Sequence, residues 1–287
     1  MTTVADTLDA PERAATPRGP RNKVRTRWGD RMLYGYTWVV ILWLMAPVIV
    51  MILFSFNDTK GRYNTSWQGF TFKWYKPENL TANHDLVQAL GYSLLIAGVT
   101  TVVSVILGAL IGIALGKYRF RGQASFNLLM FAAISAPEIV LGASLLSMFV
   151  TFNVPLGVPT ILIAHIMFSL SFVAVVVRAR VLTLDPAIEE AARDLGASPF
   201  TTFRRVTMPM IYPALISGGL LAFVLSIDDF VVTNFTAGGV VTFPLWIYGT
   251  SKLGMPPEVN VMGTLIFTGG VILAIVNAIV ARRRARL

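Results

Sequence analysis

The chain has 287 residues, 55% apolar and only 14% charged, with a formal net charge of +9 and no cysteine. So few charges, set between long apolar runs, exclude a soluble globular domain, because about 20 apolar helical residues cross the hydrocarbon core of a bilayer. The absence of cysteine excludes disulfides and thiolate chemistry without fixing the compartment of a membrane protein.

In chain order, residues 1–33 are rich in Ala, Pro, Thr and Arg, lack an apolar period and read as a disordered basic tail. Tyr34 to Phe56 carries no charge and forms the first expected span, retained because it is too long for a signal-peptide core. A long connecting loop, 57–86, holds Trp67, Phe70, Phe72, Trp74 and Tyr75, residues suited to a membrane–water interface or to a docked protein. Leu86 to Gly116 is the next charge-free run, followed by Lys117, Arg119 and Arg121. Ile139 to Val177 is also charge-free, and Asn153, Pro155, Gly157 and Pro159 divide it by a turn. Further runs cover Ile211 to Ile227 and Val259 to Ala281. Six spans are therefore expected, at 34–56, 88–116, 125–151, 159–181, 211–234 and 261–281, in one transmembrane domain of residues 34–287. No solenoid-type repeat is evident.

Between the fourth and fifth spans lies a polar insertion with clear helix grammar. Asp185 is placed to cap a helix opening on Pro186, which needs no amide partner there. Glu189, Glu190, Ala191 and Ala192 favour that helix, with the acids near its positive end. Gly196 fits a left-handed terminating residue. Ser198 and Pro199 then repeat the cap-and-proline pattern, and Pro209 and Pro213 mark the start of the next apolar segment.

Basic residues set the expected orientation. Nineteen of the 24 Lys and Arg fall in the first tail, the 117–124 loop, the 178–209 region and the C-terminus, leaving Lys60, Arg62, Lys73, Lys76 and Lys252 for the other side. Both termini and the 185–209 loop are thus expected in the cytoplasm. Anionic lipid headgroups account for the positive balance, so nucleic acid is not needed as a partner.

Ionisable groups inside spans are costly and face cavities or partners. Glu138, just after Pro137, falls near mid-depth of the third expected span, while Asp228 and Asp229 fall in the outer part of the fifth, near the negative end of its helix. Being adjacent, the two aspartates point to different sides of a helix, which is poor geometry for a shared acid–base site. A phosphate-cradling Gly-x4-Gly-Lys-Ser/Thr loop and a Gly-x-Ser-x-Gly elbow are both missing from the sequence. His84 and His165 are far apart, without metal spacing, and the second is expected to be a hydrogen-bonded packing residue.

Glu190-Ala191-Ala192, then Gly196, then Val206-x-Met208-Pro209 closely resembles the coupling loop of ABC-importer permeases. Residues 34–281 further resemble permease subunits of spermidine/putrescine importers. Phe56-Asn57, Trp67-Gln68-Gly69-Phe70-Thr71, Trp74-Tyr75, Lys117 to Gly122, Pro137-Glu138-Ile139-Val140, Ser226 to Val231 and Pro257 to Asn260 carry that likeness. The resemblance implies an all-α integral membrane protein, a six-helix type I importer permease with a cytoplasmic coupling helix, placed in a bacterial inner membrane. It implies coupling through Glu190, Ala191, Ala192, Gly196 and Pro209, and a cation path touching Glu138, Asp228 and Asp229. The implied partners are a second permease subunit forming a heterodimer, two ATPase subunits and an extracytoplasmic polyamine-binding protein, besides membrane lipid. The chain itself is expected to bind no cofactor and perform no catalysis, with ATP and Mg on the ATPase. Other readings left open are a permease for iron, thiamine or phosphonate, a membrane scaffold and a membrane enzyme.

Overall fold

A computed structural model describes residues 28–284. The expected disorder of residues 1–27 lies outside the described part, whereas 28–33 are already helical. The chain divides into two compact units, residues 1–49 and 50–287. The described part of the first is residues 28–49 of helix α1 (Trp28–Ser55). Its large side chains, including Trp38, Leu42 and Trp43, are exposed, as expected of a helix surrounded by hydrocarbon.

The second unit takes over α1 at Val50 and continues with a short 3-10 turn, Lys73–Tyr75, and α2 (Pro77–Leu80). There follow α3 (His84–Lys117), α4 (Gln123–Ser135), α5 (Glu138–Thr151), α6 (Val158–Val181), α7 (Pro186–Asp194) and α8 (Pro199–Thr202). A π-helical turn, Phe203–Thr207, leads into α9 (Met208–Ile227), then α10 (Val231–Thr236), α11 (Phe243–Ser251) and α12 (Pro257–Arg284). Among the described residues the β structure is limited to an isolated bridge between Asn57 and Phe70.

Five helical stretches are long and apolar enough to cross a membrane: Trp28–Ser55, His84–Lys117, Val158–Val181, Pro199–Ile227 and Pro257–Val276. The expected third span, 125–151, is not one helix. It is the pair α4 and α5, bent by 106°. Pro137 is the reason: it lacks an amide hydrogen and pushes Ala136 into extended backbone (ψ 132°), so the helix must stop and restart. The expected fifth span, 211–234, also differs. α9 stops at Ile227 with Asp228 as its C-cap, and the helix resumes only at Val231.

Helices α3, α6 and α9 form the packed centre. Their close approach follows from glycine. Gly108, Gly112 and Gly116 recur every fourth residue on one face of α3 and meet α6. A Cβ at Gly108 would stand 2.8 Å from Val173, one at Gly112 would stand 2.7 Å from the Ala174 carbonyl oxygen, and one at Gly116 would stand 2.8 Å from Val181. Helices in lipid gain little from burial as such, so small residues that let backbones touch provide much of the attraction. Gly142 of α5 does the same against Phe235 of α10, where a Cβ would come within 2.6 Å.

The segment 56–76 is tied down by Asn57, which is fully buried. Its amide donates to Asn64 Oδ1 (2.6 Å) and the Ser66 carbonyl (2.7 Å), and its Oδ1 accepts from the Gln68 amide (2.7 Å). Trp74 Nε1 donates to the Asn57 carbonyl at 2.9 Å. Phe56 stacks with Phe70 and Tyr75 at 5.3 and 5.0 Å between ring centres, with Phe72 edge-on. Part of the aromatic content of this loop therefore holds the loop itself together.

Candidate functional site

The α4–α5 bend and the α9–α10 break face each other across one cleft of about 340 Å³. Glu138 is the first residue of α5, placed there by the proline that ends the preceding turn. Asp228 and Asp229 occupy the break itself. All three line the cleft, together with Phe168 and Phe172 of α6 and Phe230. Asp228 also lines a second, largely apolar cleft of about 490 Å³ with Phe243 and Tyr248, so its carboxyl stands on the wall common to both. Asp228 is close enough to Asp229 and Glu138 for their negative charges to repel. No group of three His, Asp or Glu side chains among the described residues has metal-binding spacing.

The two aspartates differ sharply in surroundings. Asp228 is exposed in the isolated chain. Asp229 turns inward, its side chain 6% exposed, and Oδ2 accepts from the Thr233 amide and hydroxyl, both at 2.7 Å. His165 Nε2 lies 3.2 Å from the same oxygen. His165 is thus a buried, hydrogen-bonded residue as expected of it, but its partner is one of the acids assigned to the cargo path. Nothing in the sequence couples residues 165 and 229. Asp229 as an N-terminal cap three and four residues before Val232 and Thr233 is the one local signal that could have been read.

The 185–209 loop forms as its grammar predicts. Asp185 accepts from the Ala187 amide (3.0 Å) and Ser198 from the Thr201 amide (3.2 Å). Gly196 takes φ +85°, with its amide bonded to the Arg193 carbonyl and the Ala197 amide reaching back to Ala192, closing α7. Glu190 and Ala191 are exposed, Ala192 is half-buried, and Pro209 is exposed in the first turn of α9. Leu195 and Phe200 of the same loop are exposed at 90% and 70%.

Glu189, expected only to favour the loop helix, does more. Its carboxylate pairs with Lys117 at the end of α3, accepts from the Thr207 hydroxyl at 2.7 Å, and lies 3.6 Å from Arg193. Burial pushes the Glu189 carboxyl up, but the hydrogen bonds from Lys117 and Thr207 and the charges of Lys117 and Arg193 outweigh it and hold the group below the usual carboxylate range.

The family model for the inner membrane component of binding-protein-dependent transport systems matches residues 108–286. The spermidine/putrescine transport system permease protein PotC of Haemophilus influenzae is 37% identical over 249 residues, covering 86% of this chain and 95% of that protein. The putrescine transport system permease protein PotI of Escherichia coli K12 is 39% identical over 243 residues, covering 82% and 83%. Among solved structures, a chain of a bacterial ABC transporter involved in the import of the acidic polysaccharide alginate superposes with a TM-score of 0.61. It shares 19% identity and covers 89% of this chain and 98% of that one. A chain of the MetNI methionine ABC transporter, in inward-facing conformations, superposes at 0.55 with 18% identity, covering 70% and 94%. At such identities the structural likeness carries the fold and not the cargo. The chain belongs to the binding-protein-dependent transport system inner membrane components: it is a multi-pass permease subunit of an ABC importer and not an enzyme.

Proposed function

We propose that this permease carries polyamines, and that the cleft lined by Glu138, Asp228 and Asp229 is its share of the translocation path. The observation that supports the reading most is the meeting of three carboxylates and three phenylalanine rings in one cleft. A polyamine bears two or more charges at neutral pH, because its amines titrate in the range of lysine. Moving it out of water requires opposite charge close by, and aromatic faces add cation–π attraction. An anionic phosphonate would be repelled here, and a metal ion would need ligands gathered at metal spacing. The named relatives, two polyamine permeases, agree with this choice.

A second permease subunit completes the path on the open side of the cleft, where Glu138 and Asp228 are exposed. An extracytoplasmic binding protein delivers the cargo to the outer face. Two ATPase subunits, which hold the ATP and Mg²⁺, dock on the 185–209 loop in the cytoplasm through Glu190, Ala191, Ala192 and the neighbouring Leu195 and Phe200. Gly196 closes α7 within the loop, and Pro209 marks its end at the first turn of α9. Closure of the ATPase pair then moves α7, and Glu189 passes that motion to α3 through Lys117 and to the start of α9 through Thr207. Residues 34–287 act as one transport domain, with both termini cytoplasmic and residues 1–33 as a basic tail.

The test is uptake of radiolabelled putrescine by cells expressing this chain with its partner subunits. Unlabelled spermidine should compete, while thiamine, ferric iron and phosphonate should not. Competition by one of the latter three, with none by spermidine, would overturn the cargo.

A further inference from the structure

We propose that His165 and Asp229 form a positioning pair for Asp228, and that Asp229 does not itself hold cargo. The inference rests on the cleft reading above and divides the labour among its acids.

The argument begins with hydrogen-bond accounting. The Thr233 hydroxyl has a single hydrogen, and it goes to Asp229 Oδ2 at 2.7 Å. His165 Nε2, 2.9 Å from that hydroxyl oxygen and 3.2 Å from Asp229 Oδ2, must therefore carry the ring proton as donor. In the neutral ring Nδ1 is then the acceptor, and Ser226 Oγ donates to it at 2.7 Å. In this arrangement Asp229 Oδ2 receives the Thr233 amide and the Thr233 hydroxyl and shares the imidazole N–H with the Thr233 hydroxyl oxygen, while Oδ1 faces the Val232 amide at 3.4 Å. The donor set is internal and the carboxylate is nearly enclosed, so an incoming ammonium would have to displace built-in partners. A buried, fully satisfied network of this kind specifies one geometry.

The second step is position in the chain. His165 belongs to α6, in the packed centre, and is 1% exposed. Its contacts are Ser226, in the last turn of α9, and Thr233 and Asp229, around the start of α10. These residues bracket Asp228 on both sides. One ring thus clamps the two ends of the helix break, and Asp228 is the carboxylate the break presents to both clefts, with Phe230 as the aromatic residue on both. Asp228 is left to meet cargo from a backbone whose place is fixed by α6.

The test is a double-mutant cycle on the intact importer in membrane vesicles, reading the KM for radiolabelled putrescine. Alone, His165→Ala should raise KM on the order of fivefold, with unchanged pull-down of the partner subunits. In an Asp228→Asn background the same change should add less than about twofold, because placement of an uncharged side chain no longer matters. Asp229→Asn should follow the same pattern. His165→Gln, which keeps a donor towards Asp229, should restore KM to within about twofold and carries the cycle if the alanine variant does not assemble. Equal multiplication of KM by these changes with and without Asp228 would overturn the inference alone and return Asp229 to an independent role. If Asp228→Asn itself leaves the putrescine KM unchanged, the cleft reading falls and takes the inference with it.

Discussion

Lys117, the last residue of α3, and Glu189, in the middle of α7, form an ion pair across 72 positions of sequence. The Thr207 hydroxyl, in the turn before α9, bonds the same carboxylate. One side chain therefore joins the loop helix to the central bundle at two points, and it is the neighbour of the residue that carries the family pattern. The two side chains are 28% and 15% exposed, and the pair matters through its place, tying α7 to the end of α3.

Separation of docking from uptake is the expected phenotype of that joint. Glu189→Gln and Lys117→Ala should leave the ATPase bound in pull-down while uptake falls several-fold. The reversed pair, Lys117→Glu with Glu189→Lys, should recover part of the loss. Equal loss of docking and uptake would place Glu189 in the interface instead.

The pH dependence of the joint has a definite sign. The folded-state value of Glu189 is depressed, so its contribution is complete above the ordinary carboxylate value and is lost as pH falls through the lower folded value. Amide hydrogen exchange of residues 187–194, corrected for intrinsic rates, should be constant from about pH 6 to 8 and rise only at more acidic pH, below the usual carboxylate range of about 4. In Glu189→Gln that acid limb should disappear.

The glycine ladder of α3 makes a packing prediction. Gly112→Val puts methyl groups into the Ala174 carbonyl and Val177. Overpacking of this kind costs about 1–3 kcal/mol, and two backbones in contact leave little room to relax. The thermal midpoint of the purified protein should fall clearly, whereas Gly98→Val, where a Cβ meets nothing within 4 Å, should leave it near wild type.

Much of this fold was legible in the sequence, for reasons particular residues make plain. Charge-free runs mark the spans because water is the only solvent that tolerates lysine or glutamate alone. Asp185-Pro186, Gly196 and Ser198-Pro199 mark the loop because capping is decided within four residues. The apolar residues on both sides of Pro137 made 125–151 look like one span, and the 106° turn of the backbone there did not show in the composition. The stop at Ile227 was hidden because apolar Phe230 to Phe235 prolongs the run, while in the fold Asp229 accepts from the Val232 and Thr233 amides at the start of α10. The spacing of Gly108, Gly112 and Gly116 was visible, but its meaning depends on α6 lying opposite. The links from Glu189 to Lys117 and from His165 to Asp229 join residues 72 and 64 positions apart and arise only when helices pack.

Gly196 offers a backbone test of the loop. With φ +85° and open space around it, a substituted side chain meets no neighbour, so the whole cost is conformational. Alanine should cost about 1–2 kcal/mol locally and asparagine less, because asparagine tolerates the left-handed region. ATPase pull-down and uptake should both rank glycine above asparagine above alanine. A ranking by side-chain size instead would point to a steric role at the ATPase surface.

The proposed orientation follows from the placement of basic residues. Cysteines introduced at Asn79 and at Leu253, which is 71% exposed, should react with an impermeant reagent applied from outside, and one at Ser198 should not. Labelling of Ser198 from outside would reverse the topology and remove the proposed docking role of the loop.

The central claim is that the acids of the cleft carry a cationic cargo, and the most direct measurement is putrescine uptake by the Glu138→Gln, Asp228→Asn double variant. Both changes keep size and remove charge from the open side of the cleft. Removing a charged hydrogen-bond partner costs about 1.5–3 kcal/mol per contact, so uptake at low putrescine should fall by at least about tenfold. Partner assembly and putrescine binding by the separate soluble receptor should remain as in wild type. Wild-type uptake by the double variant would mean that the cleft acids are structural, and would contradict the account of a cation path.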